Sequence, residues 1–298
     1  MPITLSADAL GFNPPALPLI DLSRLLLEQY GVEGKMKPLA GERDQNLRIT
    51  DATDQRYVLK VSGPEEDASI VDFQIKALEH IRTSDPDLNV PRHIPNHEGK
   101  LSTQLQAADG QVHIVRLLTF VEGVPLEEFG ALSDSLIQQI GELQGRLCRA
   151  FEGFGHPAEN HFMPWDAMNG LVVSDSLRNG YLPAHLVNAS ESVLQRLERE
   201  VLPIMQKMPS QVIHNDAHTG NVLCHVDNHD QVSGLIDFGD IVRRPMVVDL
   251  ATSLANIAEH NSNVIAAACM LLGGFERHRT LPEGQHEVFY DALCARAI

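Results

Sequence analysis

A two-lobed α+β fold is predicted by three features of the sequence. The stretch from Leu19 to Phe120 consists mainly of short β-type runs broken by turn residues. Beyond Gly123, apolar residues recur chiefly at helical spacing. A short connector, Phe120-Val121-Glu122-Gly123, divides the two characters, with no repeat, low-complexity tract or Gly/Ser linker elsewhere. This order implies a first lobe over residues 1–120, a connector at 121–123 and a helical lobe over 124–298, with a cleft expected between the lobes.

Leu19–Tyr30 (LIDLSRLLLEQY) has its apolar groups at helical spacing. Three strand-like runs follow, Lys37–Gly41, Gln45–Asp51 and Arg56–Ser62, the last two joined by the turn Asp51–Asp54. Over Glu65–Arg82, the residues Ile70, Phe73, Ala77, Leu78 and Ile81 share one face, as in an amphipathic helix. Two more strands are expected around Leu101–Ala107 and Val112–Phe120, separated by Ala108–Gln111. In the second part, helices are expected over Ser133–Phe151, Pro183–Met208, Pro245–His260, Asn263–Leu272 and Pro282–Ala297. The exception there is one hairpin, Val222–Val226 and Val232–Phe238, about the turn Asp227–Asp230.

Composition narrows the function. The 298 residues are 43% hydrophobic and 21% charged, as in an ordinary globular protein. The segment after Met1 has neither a basic start nor a secretory apolar core, so a cytoplasmic location is expected. Val264–Gly274, the longest apolar stretch, is far shorter than the roughly 20 residues a bilayer demands, so no membrane partner is expected. Cys148, Cys224, Cys269 and Cys294 are scattered without a CxxC pair and are read as reduced thiols. A net charge of −17 argues against a nucleic-acid partner, which needs clustered Lys and Arg. It suits a cationic small molecule, such as an amine, drawn to an acidic cleft.

The densest chemical signal is Val212–Asp240, VIHNDAHTGNVLCHVDNHDQVSGLIDFGD. It holds His214-x-Asp216, then Asn221, a hairpin, and Asp237-Phe238-Gly239. Phosphoryl transfer needs a carboxylate to orient a hydroxyl and accept its proton, and oxygen ligands to hold Mg²⁺ against nucleotide phosphates. A loop carrying Asp216 and Asn221, and a hairpin returning Asp237 to the same edge, would assemble those parts. Apolar neighbours Val212, Ile213, Val222, Leu223, Leu235 and Ile236 would bury the strands and leave the polar groups at their ends.

Competing constellations are weaker. His214/His218 and His225/His229 each have i, i+4 spacing, as in a zinc-binding helix, but they lie among Asn, Asp, Thr and Gly and lack an HExxH glutamate. They are read as loop and hairpin-surface residues. No GxSxG nucleophile elbow is present, and Gly153-Phe154-Gly155 lacks the third glycine and preceding strand of a dinucleotide site. Trp165 is assigned to packing in the helical lobe. In Tyr57-Val58-Leu59-Lys60-Val61, strand alternation makes Lys60 emerge among apolar neighbours. The turn Gly41-Glu42-Arg43-Asp44-Gln45-Asn46 offers backbone N–H groups that can cap phosphates.

HxDxxxxN followed by IDFG resembles the catalytic and metal-binding segments of the protein-kinase-like superfamily, and IDFGD…VVDLA resembles its aminoglycoside phosphotransferase/choline kinase branch. GERDQN, YVLKVS, IHNDAHTGNVL and IDFGDIVRRPMVVDLA are most similar to its hydroxylysine-kinase-like members and to the kinase-like domain found fused to class III, pyridoxal-phosphate aminotransferases. The resemblance implies a protein-kinase-like fold with a small antiparallel-sheet lobe and a larger helical one. It implies Asp216 as catalytic base or hydroxyl-positioning residue, Asn221 and Asp237 as Mg²⁺ ligands, and His214, Gly239 and Asp249 as supports. Asp249 would brace the catalytic loop, N-cap its own helix or serve the acceptor side.

By the same resemblance, Lys60, Gly41, Asp44 and Asn46 would meet the phosphates of ATP or GTP, and Phe120 and Glu122 the base. The helix glutamate that anchors such a lysine has no clear counterpart; Asp72, Gln74 and Glu79 are the candidates. The implied acceptor is a hydroxyl on an amine-bearing small molecule: an amino alcohol or hydroxy-amino acid, with an aminoglycoside or choline-like acceptor as the alternative. Association with a pyridoxal-phosphate domain is a further implication. A catalytically silent nucleotide-binding module is the competing functional class.

Overall fold

A computed structural model describes residues 14–163, 166–171 and 191–297, so Trp165 and the first part of the expected helix Pro183–Met208 lie outside the described residues. The described chain forms two compact units. One runs through Glu79 and resumes over Val90–Val121; the other comprises His80–Asn89 and the chain from Glu122 onward.

The first unit is a helix on a sheet. Helix α1 (Leu19–Tyr30) follows Pro18 and ends at Gly31, whose positive φ of 65° lets the chain turn back and satisfy the carbonyls of Leu26 and Leu27. Its buried face is Leu22, Leu25, Leu26 and Tyr30. Strands β1 (Gly34–Leu39), β2 (Gln45–Asp51), β3 (Arg56–Val61), β4 (His93–Ile94), β5 (Thr103–Gln106) and β6 (Val112–Thr119) form an antiparallel sheet of order β1-β2-β3-β6-β4, with β5 also on β6. Strand alternation sends Leu47, Ile49, Leu59, Val61, Val115 and Leu117 into one core with the α1 leucines. The opposite face carries the register row Asn46–Lys60–Arg116 across β2, β3 and β6.

Helix α2 (Ala68–Ser84) begins in this unit, later than apolar spacing predicted. A turn delays it: Glu66 N–H bonds Gly63 O (3.2 Å) and Asp67 Oδ1 accepts from Ser69 N–H (2.8 Å). Gly41 lies outside β1, in the turn before β2, instead of closing a strand as expected. A Cβ there would meet Asn46 Nδ2 at 2.4 Å and Asp44 O at 2.5 Å, so the tight turn requires glycine.

The second unit is mainly helical. Helix α3 (Asp134–Ala150) is capped by Ser133, whose side chain accepts Leu136 N–H. The segment ending in α4 (Leu202–Met205) passes through a π turn at Leu197–Val201. Helices α5 (Met246–His260), α6 (Val264–Phe275) and α7 (Phe289–Ala297) follow, with α3 packed on α6 and α5 on α7. The α3–α6 crossing is backbone on backbone. A Cβ on Gly141 would lie 1.9 Å from Leu271 O, and one on Gly274 would lie 2.0 Å from Gln138 O.

The hairpin forms as β9 (Val222–Cys224) and β10 (Val232–Leu235), but it is not the only strand pairing in this unit. Strand β7 (Val124–Pro125) adds to β9, and β8 (Gln211–Ile213) pairs with β11 (Val242–Arg244). The expected helix from Pro282 starts only at Phe289. Buried Gln285 intervenes, accepting Val247 N–H (3.0 Å) and donating to Pro209 O (2.9 Å), so the preceding residues serve as a brace for α5. All four cysteines are free, and among the described residues no helix is long and apolar enough to cross a membrane.

Candidate active site

The β8–β11 pairing, Ile213 opposite Val242, fixes where the chain leaves the sheet at His214. His214 is a loop residue, as expected, and is fully buried. Its Nδ1 accepts Asp216 N–H (3.3 Å), so Nε2 carries the proton and donates to Ile236 O (3.1 Å). Burial lowers its pKa to about 4 and keeps the ring neutral at pH 7, against an opposing pull from the Asp237 charge. Phe238 sits edge-on to the imidazole at 4.7 Å. One ring thus ties the loop to the segment that carries Asp237.

Asn215 has a positive φ of 67°, and its N–H donates to Asp249 Oδ1 at 2.7 Å. Asp249 lies within the first turn of α5 behind Pro245 at the cap position, so it braces the loop and does not N-cap its helix. Full burial raises its carboxyl to about pKa 7, offset in part by N–H bonds from Asn215 and His214. The same helix adds Thr252 Oγ1 to Asn215 O (3.4 Å) and Ser253 Oγ to Ala217 O. Helix α5 therefore grips the main chain on both sides of Asp216.

Asp216 Oδ2 accepts Asn221 Nδ2 at 2.9 Å, and the same amide donates to Asp216 O at 2.9 Å. His218 Nε2 lies 3.5 Å from Oδ2, while its Nδ1 accepts Gly220 N–H (2.9 Å). Asp216 Oδ1 accepts Arg296 Nη2 from α7 at 3.2 Å. The β9–β10 hairpin returns Ile236 so that its N–H bonds Asn221 O (3.0 Å), which puts Asp237 beside this pair. Asp237 has a positive φ of 61°, and its Oδ1 accepts Gly239 N–H (3.2 Å).

Because Asn221 spends its nitrogen on Asp216, its carbonyl oxygen is the atom left to act as a metal ligand. With an Asp237 carboxylate it makes a hard, oxygen-only donor pair. Oxygen donors of this kind suit Mg²⁺, which keeps waters and takes phosphate oxygens to complete its shell. Zinc is a poorer match. Ring nitrogens of His214, His218 and His229 are engaged in hydrogen bonds, and no three His, Cys, Asp or Glu side chains are grouped to hold a metal among the described residues.

In the sheet unit, Lys60 Nζ lies 3.2 Å from Asp44 Oδ2, so the turn before β2 supplies its ion pair. The same Asp44 oxygen is 3.6 Å from Arg116, a buried residue that sequence reading missed. Of the expected helix partners, Gln74 Oε1 accepts from Arg116 Nη1 (2.6 Å) and Asp72 pairs with Lys76. Glu66 joins the same charge cluster; burial raises its carboxyl, countered chiefly by Arg43. Asn46 Nδ2 donates to Ala40 O (3.1 Å) and braces the turn around Gly41. Phe120 lies under Arg56, 5.3 Å from ring centroid to guanidinium, and Glu122 O accepts Ser233 Oγ (3.4 Å).

A family model described as "Phosphotransferase enzyme family" matches residues 35–282. The chain is 24% identical to hydroxylysine kinase of Mus musculus over 92% of this chain and 78% of that protein. Two solved structures share its fold. A microcompartment-associated aminopropanol kinase aligns with a TM-score of 0.71 at 19% identity, covering 94% of this chain and 86% of that one. An amicoumacin kinase in complex with AMP-PNP and Ca²⁺ aligns with a TM-score of 0.70 at 16% identity, covering 93% and 83%. The architecture is thus the α+β, protein-kinase-like one of these enzymes.

Proposed function

The chain belongs to the phosphotransferase enzyme family, and from that premise we propose that it is a small-molecule kinase. It moves the γ-phosphoryl group of ATP or GTP onto a hydroxyl of an amino alcohol or hydroxy-amino acid, hydroxylysine being the leading candidate. The observation that carries this reading is the hydrogen-bonded pair Asp216–Asn221, with Asp237 returned beside it by the hairpin.

In this reading Asp216 accepts a hydrogen bond from the acceptor hydroxyl and takes its proton as the oxygen bonds to the γ-phosphorus. The bond from that phosphorus to the bridging oxygen breaks, and the nucleoside diphosphate leaves. Asn221 holds Asp216 in one orientation, and α5, through Asp249, holds the backbone on which both depend. Asn221 Oδ1 and Asp237 would hold Mg²⁺, which when bound neutralises charge on the phosphates. Lys60, held at rest by Asp44, is assigned to the phosphates as well. Positioning and fixed charge supply most of the rate enhancement in such a site.

The hydroxylysine kinase relative supports a hydroxy-amino acid, and the aminopropanol kinase neighbour supports the broader amino-alcohol class. The test is nucleotide-dependent phosphate transfer over a panel of hydroxylysine, aminopropanol, choline and aminoglycosides, with ATP and GTP as donors and Mg²⁺ present. Turnover is expected on the first two. Nucleotide binding without transfer to any acceptor would defeat the kinase reading and favour a silent binding module.

A further inference from the structure

We propose that Arg296 recognises a carboxylate of the acceptor beside the hydroxyl that Asp216 orients. The inference rests on the kinase reading above and narrows its acceptor to a hydroxy acid or hydroxy-amino acid over a plain amino alcohol. Three observations carry it.

First, the two oxygens of Asp216 are not equivalent. Oδ2 is held by the Asn221 amide, whereas Oδ1 accepts Arg296 Nη2 at 3.2 Å. A hydroxyl that comes to Oδ1 therefore arrives within hydrogen-bonding range of a guanidinium. Second, Arg296 is delivered by a docked helix. Five residues earlier on α7, Asp291 receives a two-point contact from Arg196, Nε to Oδ1 at 2.7 Å and Nη2 to Oδ2 at 3.1 Å, and α7 packs on α5, the helix that grips the loop. The Arg296 side chain still keeps 18% of its surface exposed. Third, the cation is out of keeping with its surroundings. The chain carries a net −17, and the other charged groups beside this loop include Asp237 and Glu127, whose carboxylate approaches Gly220.

A guanidinium has five N–H donors in a rigid plane and can serve two carboxylates at once. Usual hydrogen-bond lengths put the acceptor hydroxyl and a carboxylate on Arg296 roughly 4–8 Å apart, a separation that a hydroxy-amino acid with a few intervening carbons can span. An acceptor ammonium would be repelled from Arg296 toward the acidic side of the loop. The polarity of the site thus sorts the two ends of a zwitterion.

The experiment measures kcat and KM for hydroxylysine and for its decarboxylated counterpart, 1,5-diaminopentan-2-ol, with wild type, Arg296→Gln and Arg296→Lys. Wild type is expected to favour hydroxylysine in kcat/KM by about tenfold or more, the worth of a charge-assisted hydrogen bond. Arg296→Gln should abolish that preference by raising KM for hydroxylysine alone, and Arg296→Lys should restore part of it. A merely structural role predicts equal losses on both acceptors; equal losses, or an unchanged ratio, overturn the inference while leaving the kinase reading intact. Absence of turnover by wild type on both compounds overturns the hydroxylysine reading and this inference together.

Discussion

The side-chain amide of Asn221 spans Asp216, donating to its main-chain carbonyl and to Oδ2 at 2.9 Å each. An aspartate at position 221 would put two carboxylates within contact distance, and one of the pair would then bind a proton more tightly. Asn221→Asp is therefore expected to move the acidic limb of the kcat–pH profile upward. It should also change the Mg²⁺ concentration needed for half-maximal rate. Superimposable profiles for wild type and variant would remove Asn221 from both roles.

Asp249 predicts a pH-dependent stability. Burial lifts its folded-state pKa from 3.8 to about 7, so the folded protein holds a proton that the unfolded chain releases. Its neutral form costs little at pH 4. Stability is lost as pH rises from about 4 to about 7 and is flat beyond, by an amount on the order of a few kcal/mol. Asn at this position can still accept Asn215 N–H but does not ionise. The thermal midpoint of wild type relative to Asp249→Asn should therefore fall as pH rises from about 4 to about 7 and then level off. A constant difference would contradict the assigned burial. Asp249→Leu, which orphans the Asn215 N–H, should be less stable than Asp249→Asn by about 1–3 kcal/mol at every pH.

The α3–α6 crossing sets a packing prediction. Alanine at Gly141 or Gly274 would drive a methyl into a main-chain carbonyl, which rotamer changes cannot relieve. Each is expected to cost about 1–3 kcal/mol or more in chemical denaturation. Alanine at Gly273, where a Cβ would meet nothing within 4 Å, is the control and should be near neutral or slightly stabilising.

Lys60→Ala should weaken nucleotide binding or kcat/KM for nucleotide about 10- to 100-fold through loss of charge-assisted hydrogen bonds. Asp44→Asn, which releases the 3.2 Å ion pair, should be far milder. Equal losses from the two changes would mean that the pair matters for folding more than for phosphate.

Much of this was legible because its signals are local. Helix α1 falls on its expected bounds because Pro18 precedes it and Gly31 can adopt the left-handed cap. The His214–Asn221 loop and the hairpin were readable because their polar residues sit in one run of sequence, and α5 and the hairpin then fold that run together. The rest depends on distant partners. β8 and β11 are each three residues long and some thirty residues apart, too short for periodicity to reveal. The burial of His214 follows from that pairing and from Ile236, neither visible in HND. Arg116 reads as one more charge on a strand until Gln74 and Asp44 close around it. Arg296 meets Asp216 across eighty residues, and nothing near it in sequence announces the contact.

The whole reading turns on Asp216 as the group that handles the acceptor hydroxyl. Asp216→Asn keeps the shape and leaves nucleotide ligands in place, so turnover and nucleotide binding should separate. Acceptor-dependent phosphate transfer by the variant is expected to fall about 10³-fold, with the nucleotide Kd within about twofold of wild type. Transfer at near wild-type rate by Asp216→Asn would show that the proton and the hydroxyl are handled elsewhere, and the assignment of this loop as the catalytic centre would be wrong.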